Sequence, residues 1–236
     1  MAHIHSGIAL LSAGLDSSVA LALAKEQGTL IALALTFDYG QKAASQEIRQ
    51  AQRLAAFWQI PHKVIALPFF SEKSQSSLLK TTPSQPIPEL NLKDLEDRVQ
   101  TLQSAKSVWV PNRNGVFLEI AACFAEQLEV EKVIVGFNRE EASTFPDNSI
   151  SYRKALTEAL SFSTSNQVEI ISPTEELDKT EIVKKALALK IPLEFLWSCY
   201  HDGNQMCGTC ESCMRLKRAL KRNEVPLDSF FKDTRF

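Results

Sequence analysis

The residues Ser12-Ala13-Gly14-Leu15-Asp16-Ser17 combine small side chains, two hydroxyls and one carboxylate. They follow the apolar run Ile8 to Leu11 and lead into a helix-like stretch, Ser17 to Gln27. Small residues let a backbone curl closely around an anion. The first free amides of the next helix then face that anion, with the positive end of the macrodipole behind them. Ser12 and Ser17 add hydroxyl donors, and Ser18 follows. Asp16 would repel a phosphate, so it fixes the loop or reaches a magnesium ion. The combination points to a seat for the pyrophosphate part of a nucleotide. An ordinary strand-to-helix turn, with Asp16 or Ser17 as the N-cap, would use the same residue types. The loop is not a P-loop, because the Gly-Lys-Ser/Thr ending is missing.

A second cluster lies near the C-terminus. Cys199, Cys207, Cys210 and Cys213 are spaced C-x7-C-x2-C-x2-C, with Gly203 and Gly208 between them for tight turns. In a reducing compartment four such thiols suit a tetrahedral metal with no open position, and zinc in a structural role is the expectation. An iron–sulfur cluster is the competing assignment, although the cysteine-proline ending common in ferredoxin-type sites is absent. His201 is either a donor behind the ligands or an exposed loop histidine. Cys123, within Ala121-Ala122-Cys123-Phe124, reads as a buried core thiol.

These residues need a frame to hold them. Strand-like runs at Ile8–Leu11, Leu30–Phe37, Lys63–Leu67, Lys132–Val135 and Val168–Ile171 alternate with helix-like segments. The helices are expected at Ser17–Gln27, Gln41–Trp58, Asn114–Leu128, Tyr152–Ser163 and Lys179–Leu189. Such alternation predicts a parallel five-stranded sheet with helices on both faces, an α/β fold. Ligands in these sheets sit beyond the carboxyl ends of the strands. Asp38-Tyr39-Gly40-Gln41 and Gly136-Phe137-Asn138 lie at such ends, as does the Ser12–Ser17 loop. Between Pro68 and Val108 the alternation fails, which predicts a mobile insert over about 68–107 with a short helix near Leu90–Leu102. The 236 residues suffice for one sizeable core, divided as 1–192 and a small module, 193–236.

The net charge is −2, and the basic stretch from Arg215 to Arg222 reads as a solvated helix face, so nucleic acid is not an expected partner. No run approaches the ~20 apolar residues of a membrane span, and the first residues lack a signal-peptide pattern. A cytoplasmic location without membrane contact is expected. His3 and His5 are too few for a metal site.

The Ser12–Ser17 loop resembles the Ser-Gly-Gly-x-Asp-Ser loop of the PP-loop ATP pyrophosphatases. Five further blocks narrow the likeness: Thr36 to Gln41, Val110 to Ala122, Gly136 to Asp147, Asp178 to Ile182, and Trp197 to Cys213. Over nearly its full length the chain is similar to the 7-cyano-7-deazaguanine synthase family of queuosine biosynthesis. The resemblance implies a Rossmann-like, adenine nucleotide alpha hydrolase-like fold and a homodimer. It implies one structural Zn2+ per chain and Mg2+ with ATP. The implied reaction converts 7-carboxy-7-deazaguanine and ammonia to the nitrile through adenylated carboxylate and amide. On this resemblance Asp16, Lys179 and Arg113 are catalytic. Leu11, Ser12, Ala13, Gly14, Leu15, Asp16, Ser17, Ser18, Phe37, Tyr39 and Lys179 would bind ATP. Gln41, Arg113, Asn114, Gly136, Asn138, Glu141, Phe145 and Asp147 would hold the acid. The plainer alternatives are a solvated helix cation for Lys179 and a helix-start salt bridge for Arg113.

The chain departs from the family pattern at several places. Ala13 and Asn112 each stand where the family has glycine, and alanine is strained if the backbone there is left-handed. The family's Asp-Phe-Ser-Gly-Tyr-Pro-Asp-Cys-Arg reads Glu141 to Ser149 here, which replaces an arginine by Ser149. Arg139 or Arg153 is a candidate for the missing cation. Two further functions fit the same loop: an adenylating ligase acting on another carboxylate or a protein terminus, and a catalytically silent ATP-binding regulator. A tRNA thiolation enzyme fits less well, since only Cys123 is left to carry sulfur.

Overall fold

The computed structural model describes residues 5–72, 74–80 and 85–235. His3 lies outside the described residues, as do residues 73 and 81–84 of the 68–107 insert. Five strands form one parallel sheet: β1 (Ser6–Leu10), β2 (Leu30–Asp38), β3 (His62–Ala66), β4 (Lys132–Ile134) and β5 (Glu169–Ile171). Their spatial order is β3-β2-β1-β4-β5, and all four pairings are parallel. The order reverses between β1 and β4, so a crevice opens above that pair.

Helix α1 (Leu15–Glu26) is rich in alanine and leucine, strong helix formers. It buries Leu15 and every residue from Ser18 to Ala24, and ends at Gly28, whose φ of 86° suits glycine. Helix α2 (Ala44–Phe57) follows β2. Helices α3 (Arg98–Val108) and α4 (Arg113–Gln127) come before β4. The one-turn α5 (Arg139–Ala142) and α6 (Ile150–Ser163) lead to β5, and α7 (Lys179–Ala188) and α8 (Glu211–Arg222) complete the chain.

The expected helix at Leu90–Leu102 is displaced to Arg98–Val108. The Asn91 side chain holds a turn by accepting from Lys93 and Asp94 amides, and Asp97 caps α3 by accepting from Val99 and Gln100. Asn and Asp side chains satisfy backbone amides outside a helix as readily as at its start, which delays the helix here. The insert is pinned to the body by bridges Gln41–Leu79 and Glu89–Cys210. One hydrophobic cluster runs from α1 and α7 into the cysteine module, and the Trp197 amide donates to Ala13 O at 2.8 Å.

Two expectations about single residues fail. Cys123 is exposed, because α4 turns Ala121 and Ala122 toward the core and Cys123 away from it. The basic stretch is not a solvated face: Arg215 and Lys217 are buried, while Lys221 and Arg222 are exposed. Arg215 lies between Glu211 and Glu140, and Lys217 Nζ donates to the carbonyls of Gly208 and Arg235. Buried cations of this kind persist only when partnered.

Candidate active site

The Ser12–Ser17 loop closes on itself before it meets anything else. Ser17 Oγ lies 3.1 Å from Ser12 Oγ and donates to Gly14 O at 3.2 Å, and Ser18 Oγ donates to the same carbonyl at 2.8 Å. The Gly14 amide donates to Ser12 Oγ at 3.3 Å, and the Leu15 amide reaches Ser198 Oγ at 3.5 Å. The N-cap of α1 is Gly14, with no side-chain cap, so neither Asp16 nor Ser17 plays that part. Among the described residues, the amides of Asp16 and Ser17 meet no acceptor. They are the open donors of a helix start. Ala13 stands at φ 59° and Asn112 at φ 53°, both left-handed. Both glycine-replacing positions therefore keep the glycine-like backbone, at a cost of about 1–2 kcal/mol for an alanine.

Gly136, two residues past the end of β4, sits where only glycine fits. A Cβ there would lie 2.5 Å from the Asp16 carbonyl carbon and from the Ser17 nitrogen, so the β4 edge touches the loop backbone. The three strand-end loops meet as expected, and one cleft is lined by Ser12, Asp16, Thr36, Phe37, Tyr39, Gly136 and Phe137.

Lys179 opens α7 behind a capping box formed by Asp178 and Glu181. Its side chain is buried, so the solvated-cation alternative fails. Nζ pairs with Asp16 Oδ2 and lies 2.6 Å from Glu141 Oε1. Burial pushes the Asp16 carboxyl up to about 6, against the pull of Lys179. For Glu141 burial acts upward, but the Lys179 ammonium outweighs it and holds the group below the ordinary value. Burial alone would lower Lys179; its two carboxylates raise it. Among the described residues Asp16 Oδ1 is buried without a hydrogen-bond partner, an acceptor of the kind a hard cation takes.

Arg113, the first residue of α4, donates to Tyr39 OH at 3.1 Å and to Asn114 Oδ1 at 3.5 Å. Its guanidinium carbon lies 5.5 Å from the centre of the Tyr39 ring. Among the described residues no carboxylate lies within salt-bridge distance of it, so the helix-start ion pair is not formed. Asn114 donates to Asp147 O at 3.4 Å. A second chamber joins the first across Asp16, Arg113 and Glu141, and Trp109, Phe145, Asp147 and Tyr200 line it. The rings of Trp109 and Phe145 are parallel within 9°, with centroids 6.4 Å apart.

Some predicted residues stand behind the walls. Asn138 is fully buried; its side chain caps α5 by accepting from the Glu141 amide, and so aims Glu141. Gln41 reaches the cleft, but its amide is occupied: Oε1 accepts from Tyr39 N, and Nε2 donates to Phe37 O and Glu47 Oε2. Neither candidate for the missing cation comes to the chamber. Arg139 pairs with Asp178 and Glu181, and Arg153 holds Glu175 through two nitrogens. Glu47, Trp109, Asn148, Ser198 and Tyr200 line the chambers without having been singled out from sequence. For Glu47 a signal existed. It falls on the stripe Ala44, Ala51, Leu54 and Ala55 that α2 buries, where a carboxylate is out of place.

The four cysteine sulfurs lie within 4.8 Å of one another, and Cys207 Sγ is 3.8 Å from Cys213 Sγ. A tetrahedron with bonds of about 2.3 Å has edges of about 3.8 Å. Cys199 Sγ accepts from the amides of His201 and Cys207, and Cys207 Sγ from those of Thr209 and Cys210. His201 contributes through this backbone donor.

Residues 6–224 match the family described as queuosine biosynthesis protein QueC. The chain is 49% identical over 221 residues to the 7-cyano-7-deazaguanine synthase of Methanosarcina barkeri, covering 92% of this chain and 94% of that one. It is 45% identical over 226 residues to the synthase of that name from Bdellovibrio bacteriovorus, covering 96% and 97%. With the Pelotomaculum thermopropionicum synthase the identity is 47% over 221 residues, covering 94% and 99%. No described helix is long and apolar enough to cross a membrane.

Proposed function

The chain belongs to the QueC family of queuosine biosynthesis proteins, and from that premise we infer that it is a carbon–nitrogen ligase that makes 7-cyano-7-deazaguanine. Its substrates are 7-carboxy-7-deazaguanine, ammonia and ATP with magnesium. The carrying observation is the meeting of Lys179 and the two open amides at the β1–β4 crevice, beside a chamber whose Arg113 has no carboxylate within salt-bridge distance among the described residues.

A carboxylate resists attack until one oxygen becomes a leaving group. Transfer of AMP to that oxygen supplies one, and ammonia then gives the amide. AMP transfer to the amide oxygen allows elimination to the nitrile. The protein must align ATP with the acid and balance charge as it develops. The Asp16 and Ser17 amides and Lys179 would hold the pyrophosphate portion, with Ser12 and Ser17 hydroxyls beside them. Phe37 and Tyr39 border the adenosine side of the cleft. Magnesium neutralises phosphate charge when bound, and Asp16 Oδ1 would be the oxygen to meet it. Arg113 would fork onto the acid's carboxylate. The Trp109 and Phe145 faces suit a flat bicycle, and Asp147 offers an acceptor to its N–H edge.

The sulfur spacing and the inward amides favour one four-thiolate ion, and we assign it as zinc with a structural role. A cytoplasmic setting, where thiols stay reduced, and a homodimer complete the proposal. Incubation with the acid, ammonium and Mg-ATP, followed by mass spectrometry, tests it. Nitrile with AMP is expected. AMP without nitrile would assign another carboxylate, and ADP in place of AMP would overturn the adenylation chemistry.

A further inference from the structure

Glu47 stands on the wall shared by the two chambers, with Ser12, Asp16, Arg113 and Glu141 on the same wall. Its orientation is set by Gln41, whose own amide the backbone already holds. Gln41 accepts from a backbone N–H through Oε1 and donates to a backbone carbonyl through Nε2, so its amide has one orientation. The same Nε2 donates at 2.7 Å to Glu47 Oε2. Three charged or titratable groups face this carboxyl: Arg113 from α4, and Asp38 and Tyr39 from the end of β2 and its loop. No lysine or arginine pairs with it within salt-bridge distance among the described residues, and Lys179 is held by two other carboxylates. A loop anchor would need only the Gln41 contact, and an amide would serve for that. A carboxyl on a buried helix stripe, turned to both chambers, needs another reason.

Resting on the function inferred above, we propose that Glu47 is the general base of the two nitrogen steps, receiving ammonium and taking the protons that nitrogen must shed. Ammonium has no lone pair and must lose a proton before it can attack. In the first step ammonium gives one proton to the Glu47 carboxylate, which passes it to solvent. The ammonia so freed forms the C–N bond, the C–O bond to AMP breaks with its electron pair leaving on AMP, and the nitrogen loses its second proton to the same carboxylate. In the last step the adenylated amide nitrogen gives up two protons in turn. The second departure accompanies C–O cleavage, which yields the C≡N bond and AMP. Neither step consumes an oxidant or reductant, and the proton passes from the carboxyl to solvent. The surroundings of Glu47 suit a base. Burial, opposed by the Gln41 hydrogen bond and Arg113, pushes its carboxyl up to about 7, where it can both accept and release protons near neutrality.

Glu47→Gln keeps a carbonyl for Gln41 and removes the base. Two assays separate the steps: exchange of labelled pyrophosphate into ATP, driven by the acid without ammonium, and formation of nitrile with ammonium. The variant should exchange within about threefold of the wild type, while its nitrile rate falls about 10²–10³-fold; Glu47→Asp should recover part of that loss. In the wild type alone, nitrile formation should lose activity below pH about 7, whereas exchange holds until about 6, where Asp16 titrates. Equal losses in both assays would make Glu47 a structural or binding residue. An unchanged nitrile rate, or identical pH limbs in the two wild-type assays, would also overturn the proposal. Wild-type protein that shows no exchange with this acid would instead remove the functional premise itself.

Discussion

The Ser12–Ser17 loop and the cysteine knuckle are built alike and finished differently. Each is a short turn leading into a helix, α1 after Gly14 and α8 after Cys210, with several backbone amides free of the helix ladder. In the knuckle those amides already end on the chain's own sulfurs, Cys199 and Cys207. In the loop the amides of Asp16 and Ser17 end on nothing within the described residues. Donors satisfied internally make a closed, structural centre. Donors left open make a centre that waits for an anion. The two are joined by neighbours on α5: Glu141 holds Lys179 in the site, and Glu140 meets Arg215 at 2.5 Å and Arg218 on the module's helix.

The largest difference should appear when each centre is emptied of its charge partner. Cys210→Ser, or strong chelation, should remove one zinc per chain and unfold the module. The loss should be large against a total stability of about 5–15 kcal/mol, read by metal analysis and thermal unfolding. A visible absorption band in freshly purified protein would assign iron instead. Lys179→Met should do the opposite, sparing the metal and lowering acid-dependent AMP release by about 10²–10³-fold. Metal lost in the second variant would dissolve the distinction.

Glu140→Gln tests the link. Removing the charge between two arginines should cost about 1–3 kcal/mol of stability, with a smaller effect on AMP release. Burial raises the Glu140 carboxyl, but Arg215 and Arg218 outweigh it and hold it low, so this stabilisation is present at neutral pH and lost as pH falls through the depressed value. Asp16 has the opposite sign. Its folded value, about 6, lies above the ordinary 3.8, so its proton favours the fold at low pH, and that advantage fades as pH rises from about 4 to 6. On the proposed function, nucleotide binding uses the ionised form. Mg-ATP affinity, measured by calorimetry, should therefore fall about tenfold per unit below pH 6. The smallest expected effect is that of Ala13→Gly. Relief of a left-handed alanine, less the entropy of glycine, should stabilise the protein by about 0.5 kcal/mol and leave ATP affinity unchanged or slightly tighter.

Much of this was legible because the informative residues sit at strand ends, where local spacing states its purpose. The Ser12–Ser17 loop and Gly136 follow that pattern, and the four cysteines were legible from their spacing alone. What escaped depended on contacts distant in sequence. Arg215 reads as a surface cation until Glu140, 75 positions away, is placed against it. Cys123 has apolar neighbours, yet one residue's step, about 100° around a helix, separates the buried side from the wet one. Glu47 falls on the apolar stripe of α2, yet only the packing of that stripe against the cleft shows which chambers its carboxyl faces. The cation that Ser149 no longer supplies has no replacement in Arg139 or Arg153, since both are held by carboxylates elsewhere.

The comparison of open and closed amides rests most directly on where a nucleotide settles. A crystal structure with a non-hydrolysable ATP analogue and magnesium should place the β- and γ-phosphates on the Asp16 and Ser17 amides. Lys179 should have exchanged a carboxylate for a phosphate oxygen. An analogue seated elsewhere, with Lys179 still bound to both Asp16 and Glu141, would contradict it.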